Sequence, residues 1–185
     1  MIIDYKREKL LNAILFFSKN IKELTLTKLM KLLSQLDYRH FKETGDSVTG
    51  LKYYTYPKGD FSETLNNEVN NKNRELLEYV DIIKKKKGRY DATVFYPKKE
   101  LENKYFSKRE LKILNDLIET YKHSNAKEMS KISHEENTPW SKTMKEKGMY
   151  KEIDMFLTIE DRDFEEYVRE SIEDRKVIED FFNGF

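Results

Sequence analysis

The sequence predicts a mainly α-helical (α+β) fold: a single compact helical domain over residues 1–185 with a small β-hairpin or short strand pair. Three observations carry this. Leu29, Leu32, Leu33 and Leu36 recur at the spacing of one helix face. Ser107-Lys108-Arg109-Glu110 has the form of a capping box at a helix start. Only two short stretches, Leu51 to Tyr56 and Tyr90 to Tyr96, alternate as strands do.

The first helix is expected from Asp4 to Lys19, with Leu10, Leu11, Ile14, Leu15 and Phe17 at helical spacing and Asp4 as its cap. The second carries the leucine stripe, extended by His40 with Phe41 beside it. Thr25 or Thr27 supplies its N-cap, and Gly45 stands where a left-handed residue closes a helix. Asp46-Ser47-Val48-Thr49-Gly50 is a turn by composition. Leu51 to Tyr56 reads as a strand ended by Pro57-Lys58-Gly59-Asp60. Asp60 is then placed to cap a helix holding Leu65 and Val69, and a further helical stretch holds Leu76, Leu77, Val80 and Ile83. Lys84 to Lys87 with Gly88-Arg89 reads as a basic turn before the strand Tyr90 to Tyr96, which Pro97 ends.

The capping box opens a helix through Leu111, Leu114, Leu117, Ile118 and Tyr121, with Phe106 as its hydrophobic staple. Ser124 is the expected cap of a short helix with Ala126, Met129 and Ile132. Glu135 to Trp140 reads as an acidic, proline-broken segment. The last helix is expected over about 158–182, starting at Thr158 or Asp161 and running through Phe164, Tyr167, Val168, Ile172 and Ile178 toward Phe181.

Composition narrows the function classes. The 185 residues carry 35 basic and 34 acidic side chains, a net charge of +1 that gives no global pull toward nucleic acid or membrane. There is no cysteine, which removes disulfides and thiolate metal sites and points to a reducing, cytoplasmic setting. No stretch approaches the ~20 uncharged apolar residues of a membrane span, and no signal peptide is read at the N-terminus. Twelve tyrosines offer rigid contact area with a polar tip, though an A/T-rich coding sequence explains their number equally well.

No catalytic constellation, metal set or cofactor motif emerges. His40 and Glu43 share a helix face, but one such pair lacks the further ligands of a di-iron bundle, and His40 on the leucine stripe reads as a hydrogen-bonded core residue. His134, Glu135 and Glu136 are consecutive and cannot form the two-histidine, one-turn zinc geometry. Gly45 and Gly50 lack the Gly-Lys-Ser/Thr of a phosphate loop. The Lys84 to Arg89 run is the one local basis for DNA binding, and the acidic Glu135-Glu136 that follows a helix-turn-helix-like stretch speaks against it. Binding another protein is therefore the expected mode.

Two separated strings carry a resemblance. The first is Lys28-Leu29-Met30-Lys31-Leu32-Leu33-Ser34-Gln35-Leu36-Asp37-Tyr38-Arg39-His40-Phe41-Lys42-Glu43-Thr44-Gly45, continuing through Val48-Thr49-Gly50-Leu51-Lys52-Tyr53-Tyr54-Thr55-Tyr56-Pro57. The second joins Phe106-Ser107 and Glu110-Leu111 to Ala126-Lys127-Glu128-Met129-Ser130-Lys131-Ile132-Ser133-His134-Glu135 and then Pro139-Trp140. Their order and spacing resemble the Panacea domain, the SocA-like antitoxin family, over roughly Asp4 to Lys145. The chain departs from the family in reading Pro57-Lys58-Gly59-Asp60 where relatives show Gly-Pro.

The resemblance implies an antitoxin of a bacterial or phage toxin–antitoxin pair that neutralises a cognate toxin encoded nearby. One branch of the family is similar to a proteolytic adaptor, which makes a protease an optional second partner. A DNA-binding regulator is the alternative, nucleic acid is otherwise disfavoured, and a homo-oligomer is compatible with these totals. Asp37, His40, Gly45, Gly50, His134, Glu135, Pro139 and Trp140 are expected to be structural motif residues. Tyr53, Tyr54, Tyr56, Phe61, Tyr90 and Phe95 are the expected partner-binding residues, with the C-terminal helix as a further contact region.

Overall fold

A computed structural model describes residues 5–88 and 90–183. These form eight α-helices, two 3-10 turns and five short strands, and the structure is mainly α. Three expected features lie outside the described residues: Asp4 as a cap, Arg89 in the basic run, and the side chain of Phe181.

Helix α1 (Lys6–Asn20) buries Leu10, Leu11, Ala13, Ile14, Leu15, Phe16 and Phe17 in succession. A helix apolar on all sides is a central helix. The short strand β1 (Leu24–Thr25) leads into α2 (Leu26–Thr44), whose N-cap is Thr25, its side chain accepting from the Lys28 N–H. The leucine stripe of α2 packs on α1, with Leu29, Leu32, Leu33 and Leu36 all fully buried.

After Gly45 the chain turns through 46–50 and forms a hairpin, β2 (Tyr54–Tyr56) with β3 (Gly59–Phe61), in the register Tyr54↔Phe61, Thr55↔Asp60 and Tyr56↔Gly59. The sequence reading ended the strand at Pro57 and made Asp60 a helix cap. Instead Pro57-Lys58 is the turn, Gly59 takes φ +92°, and Asp60 points inward from β3. Ser62 stands at the start of α3 (Glu63–Asn70).

Helix α4 (Arg74–Tyr79) stops before Val80, and β4 (Val80–Lys87) pairs antiparallel with β5 (Tyr90–Pro97). The predicted helix through Val80 and Ile83 and the Lys84–Lys87 part of the predicted basic turn are thus one strand, with Gly88 in the turn after it. Val80, Ile82 and Ile83 are β-branched, and eight ladder positions opposite β5 outweigh a weak helical period. Sheet order is β1-β5-β4, so β4 is an edge strand, and its lysines deter strand-to-strand aggregation.

Helix α5 (Lys108–Tyr121) begins with the predicted capping box, both halves of it formed. Helix α6 (Ala126–Ser133) is capped by Asn125 with Glu128 in a second capping box, and Ser124 is not the cap. Asn outranks a serine one residue earlier because its side-chain oxygen reaches both the Lys127 and Glu128 N–H groups. The segment read as proline-broken becomes α7 (Pro139–Lys147): Pro139 occupies the first turn, where a missing N–H costs nothing, behind the cap Thr138.

The final helix α8 (Arg162–Asn183) is capped by Asp161, which accepts from the Asp163 and Phe164 N–H groups. Its first half docks through Val168 on Phe41 and Ile159, a small cluster beside the main core. Gly45 makes this docking physical. It sits at φ +69°, and an added Cβ would lie 2.4 Å from Val168 Cγ1. Gly45→Ala is expected to cost about 2 kcal/mol, from the left-handed backbone and the collision together. Urea denaturation measures this, and faster proteolysis within α8 than in the parent protein is the expected companion result.

Candidate functional site

The β2–β3 hairpin has two unlike faces. Strand alternation turns Tyr53 and Thr55 inward and Tyr54 and Tyr56 outward. Opposite them, Asp60 is buried and Phe61 is half-exposed. The inner face is therefore polar and enclosed, and the outer face is aromatic.

Asp60 organises the inner face. Its Oδ1 accepts from the Tyr38 hydroxyl at 2.8 Å, and its Oδ2 accepts from Ser133 at 2.5 Å and Ser34 at 3.4 Å. Lys31 Nζ lies 3.9 Å from Oδ2 and donates to the Asp60 carbonyl oxygen. Burial lowers the Lys31 ammonium to about 8, against the opposing pull of Asp60. Gly59 is required here, since a Cβ would lie 2.5 Å from Ser133 and 2.6 Å from Lys31 Nζ.

A second buried carboxylate, Asp37, fixes the approach to the hairpin. Its Oδ1 accepts from the Val48 and Thr49 N–H groups, each at 2.8 Å. Its Oδ2 accepts from the Tyr53 hydroxyl at 2.7 Å and from the Thr49 hydroxyl. Burial pushes the Asp37 carboxyl up, and these four donors oppose it. Tyr38 and Tyr53 are both pushed well above the usual phenol range, by burial first and then by the neighbouring carboxylates, so each stays a protonated donor. Their rings meet edge-on at 5.8 Å and link the two clusters.

The groups at Asp60 are partners of one another. Ser133 gives its proton to a carboxylate, not to an amine, and the Lys31 ammonium is spent on a carbonyl. The arrangement holds the hairpin in place. Among the described residues no group of three or more His, Asp or Glu side chains is placed to hold a metal.

Outside, the segment 148–153 braces β2. The Thr55 N–H donates to the Lys151 carbonyl at 2.9 Å, the Tyr150 N–H to the Thr55 carbonyl at 2.6 Å, and the Ile153 N–H to the Tyr53 carbonyl at 2.8 Å. Tyr150 adopts φ +61°, an uncommon conformation for a bulky residue. That backbone stands its ring edge-on to Tyr56 at 4.9 Å while leaving it 59% exposed. Tyr56 also meets Phe61 at 4.5 Å. Together with Leu26, Met30 and Lys31 of α2 these rings line a mostly apolar cleft of about 430 Å3.

Of the expected partner-binding residues, Tyr54, Tyr56 and Phe61 share this face. Tyr53 and Phe95 are each 1% exposed and belong to the core, which leaves them no surface to offer. Tyr90 is 64% exposed but lies at the start of β5, in the other sheet. In the basic run, Lys84 donates to Thr93 and Lys85 pairs with Glu23.

Of the expected motif residues, Asp37, Gly45 and Gly50 shape the ends and turn around α2, with Gly50 at φ +70°. His40 Nδ1 is 2.7 Å from the Asp46 carbonyl and its Nε2 is 3.8 Å from Glu110, while Glu43 turns away to Arg109. Trp140, half-buried, donates its indole N–H to the Tyr56 carbonyl at 3.2 Å and meets the exposed His134 ring at 4.2 Å with a 45° tilt. Glu135 is exposed, and Pro139 opens α7.

Sequence reasoning missed Lys31, Tyr38, Asp60, Ser133 and Tyr150. The alternation of Tyr53 to Tyr56 was a usable signal, because it separates the inward Tyr53 from the outward Tyr54 and Tyr56. Nothing local marks Tyr150.

The family model described as Antitoxin SocA-like, Panacea domain, matches residues 29–141, more than half of the chain. No curated protein and no solved structure matches. The matched span includes both buried carboxylates and the whole hairpin, and leaves α1, Tyr150 and α8 outside.

The Lys31 site makes a pH prediction. Its folded pKa of about 8 lies below the ordinary 10.5, so between these values the unfolded chain binds more protons and stability rises with pH. Above pH 10 the raised Tyr38 and Tyr53 act in the opposite direction. The stability difference between the parent protein and Lys31→Met should therefore shift in the parent's favour by about 2 kcal/mol from pH 7.5 to pH 10. Urea denaturation at both pH values reads it, and a constant difference would mean the ammonium is not desolvated.

Proposed function

The chain belongs to the SocA-like antitoxin family defined by the Panacea domain, and from that premise we propose that it neutralises a cognate protein toxin by direct contact through the outer face of the hairpin. The observation that supports this reading most is the unlike pair of hairpin faces. Buried charge clusters fix the inner face, and the outer face presents Tyr54 beside Tyr56, Phe61 and Tyr150, the last three around an open cleft.

Binding hot spots are typically large aromatic side chains held rigidly beside a pocket, so that little side-chain entropy is lost on docking. Tyr56 meets that description: its ring is held by Phe61 and Tyr150, and its carbonyl is held by Trp140. Tyr150 sits in a strained conformation, and such strain gathers at functional sites. An antitoxin that keeps most of its toxin occupied at sub-micromolar concentration needs a dissociation constant near 10 nM, which is roughly 11 kcal/mol. A few dry aromatic anchors supply energies of that order.

In this reading the motif residues are frame. Asp37, His40, Gly45, Gly50 and Trp140 hold backbone positions, and toxin specificity belongs to the aromatic face. The cytoplasm is the setting that a cysteine-free antitoxin of an intracellular toxin fits.

Co-expression with the neighbouring gene tests the proposal. A toxic neighbour should become harmless, and the two proteins should co-purify. Tyr56→Ala and Tyr150→Ala should each weaken the complex by about 2 kcal/mol, roughly 30-fold, with melting temperatures close to the parent's. Tyr90→Ala should change the affinity by less than twofold. A neighbour that is harmless alone, together with no rescue of toxins known to pair with this family, would end the antitoxin reading.

A further inference from the structure

Away from the hairpin, the C-terminal half of α2 and the first turns of α5 enclose a shallow hollow of about 570 Å3. Arg39, Lys42, Lys108, Arg109 and Lys112 line it, against two carboxylates, Glu43 and Asp116. The whole chain carries only +1, so this concentration is local and does not reflect general basicity.

Internal pairing accounts for three of these cations. Arg109 Nε is 3.2 Å from Glu43, Lys112 is 2.7 Å from Asp116 on the next turn, and Lys42 is 2.7 Å from Glu160. The side chains of Arg39 and Lys108 make no ion pair or hydrogen bond with another described residue. Lys108 also stands in the first turn of α5, where the helix dipole disfavours a cation.

We propose that this hollow is a docking surface for an acidic segment of a protein partner, with Arg39 and Lys108 as the charges that segment neutralises. The toxin-binding reading supplies the identity of the partner, and the surface itself rests on the charge pattern. An acidic segment places two or three carboxylates at discrete points and so passes between Glu43, Asp116 and Glu160. A nucleic-acid backbone carries a charge at every step and runs into them. Unlike the dry anchors of the hairpin, a rim of charge acts mainly on the rate of encounter.

Two measurements test this. In the first, a glycine–serine peptide of about 20 residues bearing two or three spaced glutamates is titrated by NMR at low salt, with single-stranded oligothymidylate of equal length as the competing class. Shifts should concentrate at Arg39, Lys42, Lys108 and Lys112. The peptide should bind at least tenfold more weakly to the Arg39→Glu/Lys108→Glu double variant, and the oligonucleotide should bind the parent more weakly than the peptide does. Shifts scattered over other lysines, an unaffected double variant, or tighter binding of the oligonucleotide would overturn the proposal. The double variant should fold normally, since an acid in the first turn of α5 suits the dipole.

In the second, association of the toxin with the double variant should slow at least tenfold at low salt and lose its salt dependence, with dissociation little changed. Tyr56→Ala should speed dissociation instead. A toxin that binds the double variant as fast as the parent sinks the docking surface and leaves the antitoxin reading intact. A neighbouring gene product that does not bind, alongside a positive peptide titration, sinks the antitoxin reading and leaves the surface standing.

Discussion

The fold hangs on the burial of two carboxylates, Asp37 and Asp60, between α2 and the chain that returns across it. A charge taken out of water costs several kcal/mol unless every lone pair finds a donor. Both aspartates meet that demand with donors from separate segments. Asp37 draws on the backbone of residues 48–49 and on Tyr53; Asp60 draws on Tyr38, Ser34 and, from the end of α6, Ser133. The hairpin is only three residues a side and would not persist alone. Its place is set by the need of Asp60 for partners that only α2 and α6 supply.

That constraint spreads outward. Because Asp60 must reach Tyr38 and Ser133, Gly59 passes too close to Ser133 and Lys31 to carry a side chain. Along the edge of β2 away from β3, the backbone and hydroxyl of Thr55 bind the 148–153 segment, which in turn carries Tyr150 to Tyr56. The aromatic face is thus the outside of a polar clamp. Apolar packing alone tolerates sliding and repacking, whereas directional hydrogen bonds to a buried charge admit one register. A rigid contact face follows, and rigidity limits the entropy lost when a partner binds.

The parts legible in the sequence are those decided locally. The leucine stripe of α2, the left-handed Gly45 and the Ser107–Glu110 box were read correctly because spacing and capping chemistry act within a few residues. The family strings were legible too, and they lie on α2, the start of α5 and α6, while α1 falls outside the matched span. What failed was decided by tertiary partners. Val80 to Lys87 has a period that fits either element, and pairing with β5 made it a strand. Pro139 looked like a breaker and is a helix start. Nothing local marks Lys28 and Lys31 for burial, yet Lys28 caps the end of α5 through the Lys122 and Ser124 carbonyls and Lys31 enters the core. Asp60 was read as a cap, because only α2 and α6 reveal that its donors are already in place. The site residues missed were the buried polar ones and the exposed Tyr150, whose roles exist only once distant segments meet.

Helix α2 joins these observations. Its N-terminal half supplies Met30 and Lys31 to the cleft, and its C-terminal half supplies Arg39 and Lys42 to the basic hollow. Met30 and Arg39 are nine residues apart, about 13.5 Å along the axis and half a turn around it, so they face opposite sides of the helix. A partner that engages both therefore reaches around α2 instead of lying along one of its faces. The two ends offer different physics. Exposed charges act over a Debye length and are screened by salt, so they orient a partner before contact. Dry aromatic contacts form only on contact and set how long the partner stays. A single rigid helix, fixed by the buried Asp37, keeps the two features at a constant separation, so a partner steered by the first meets the second only by reaching around the helix.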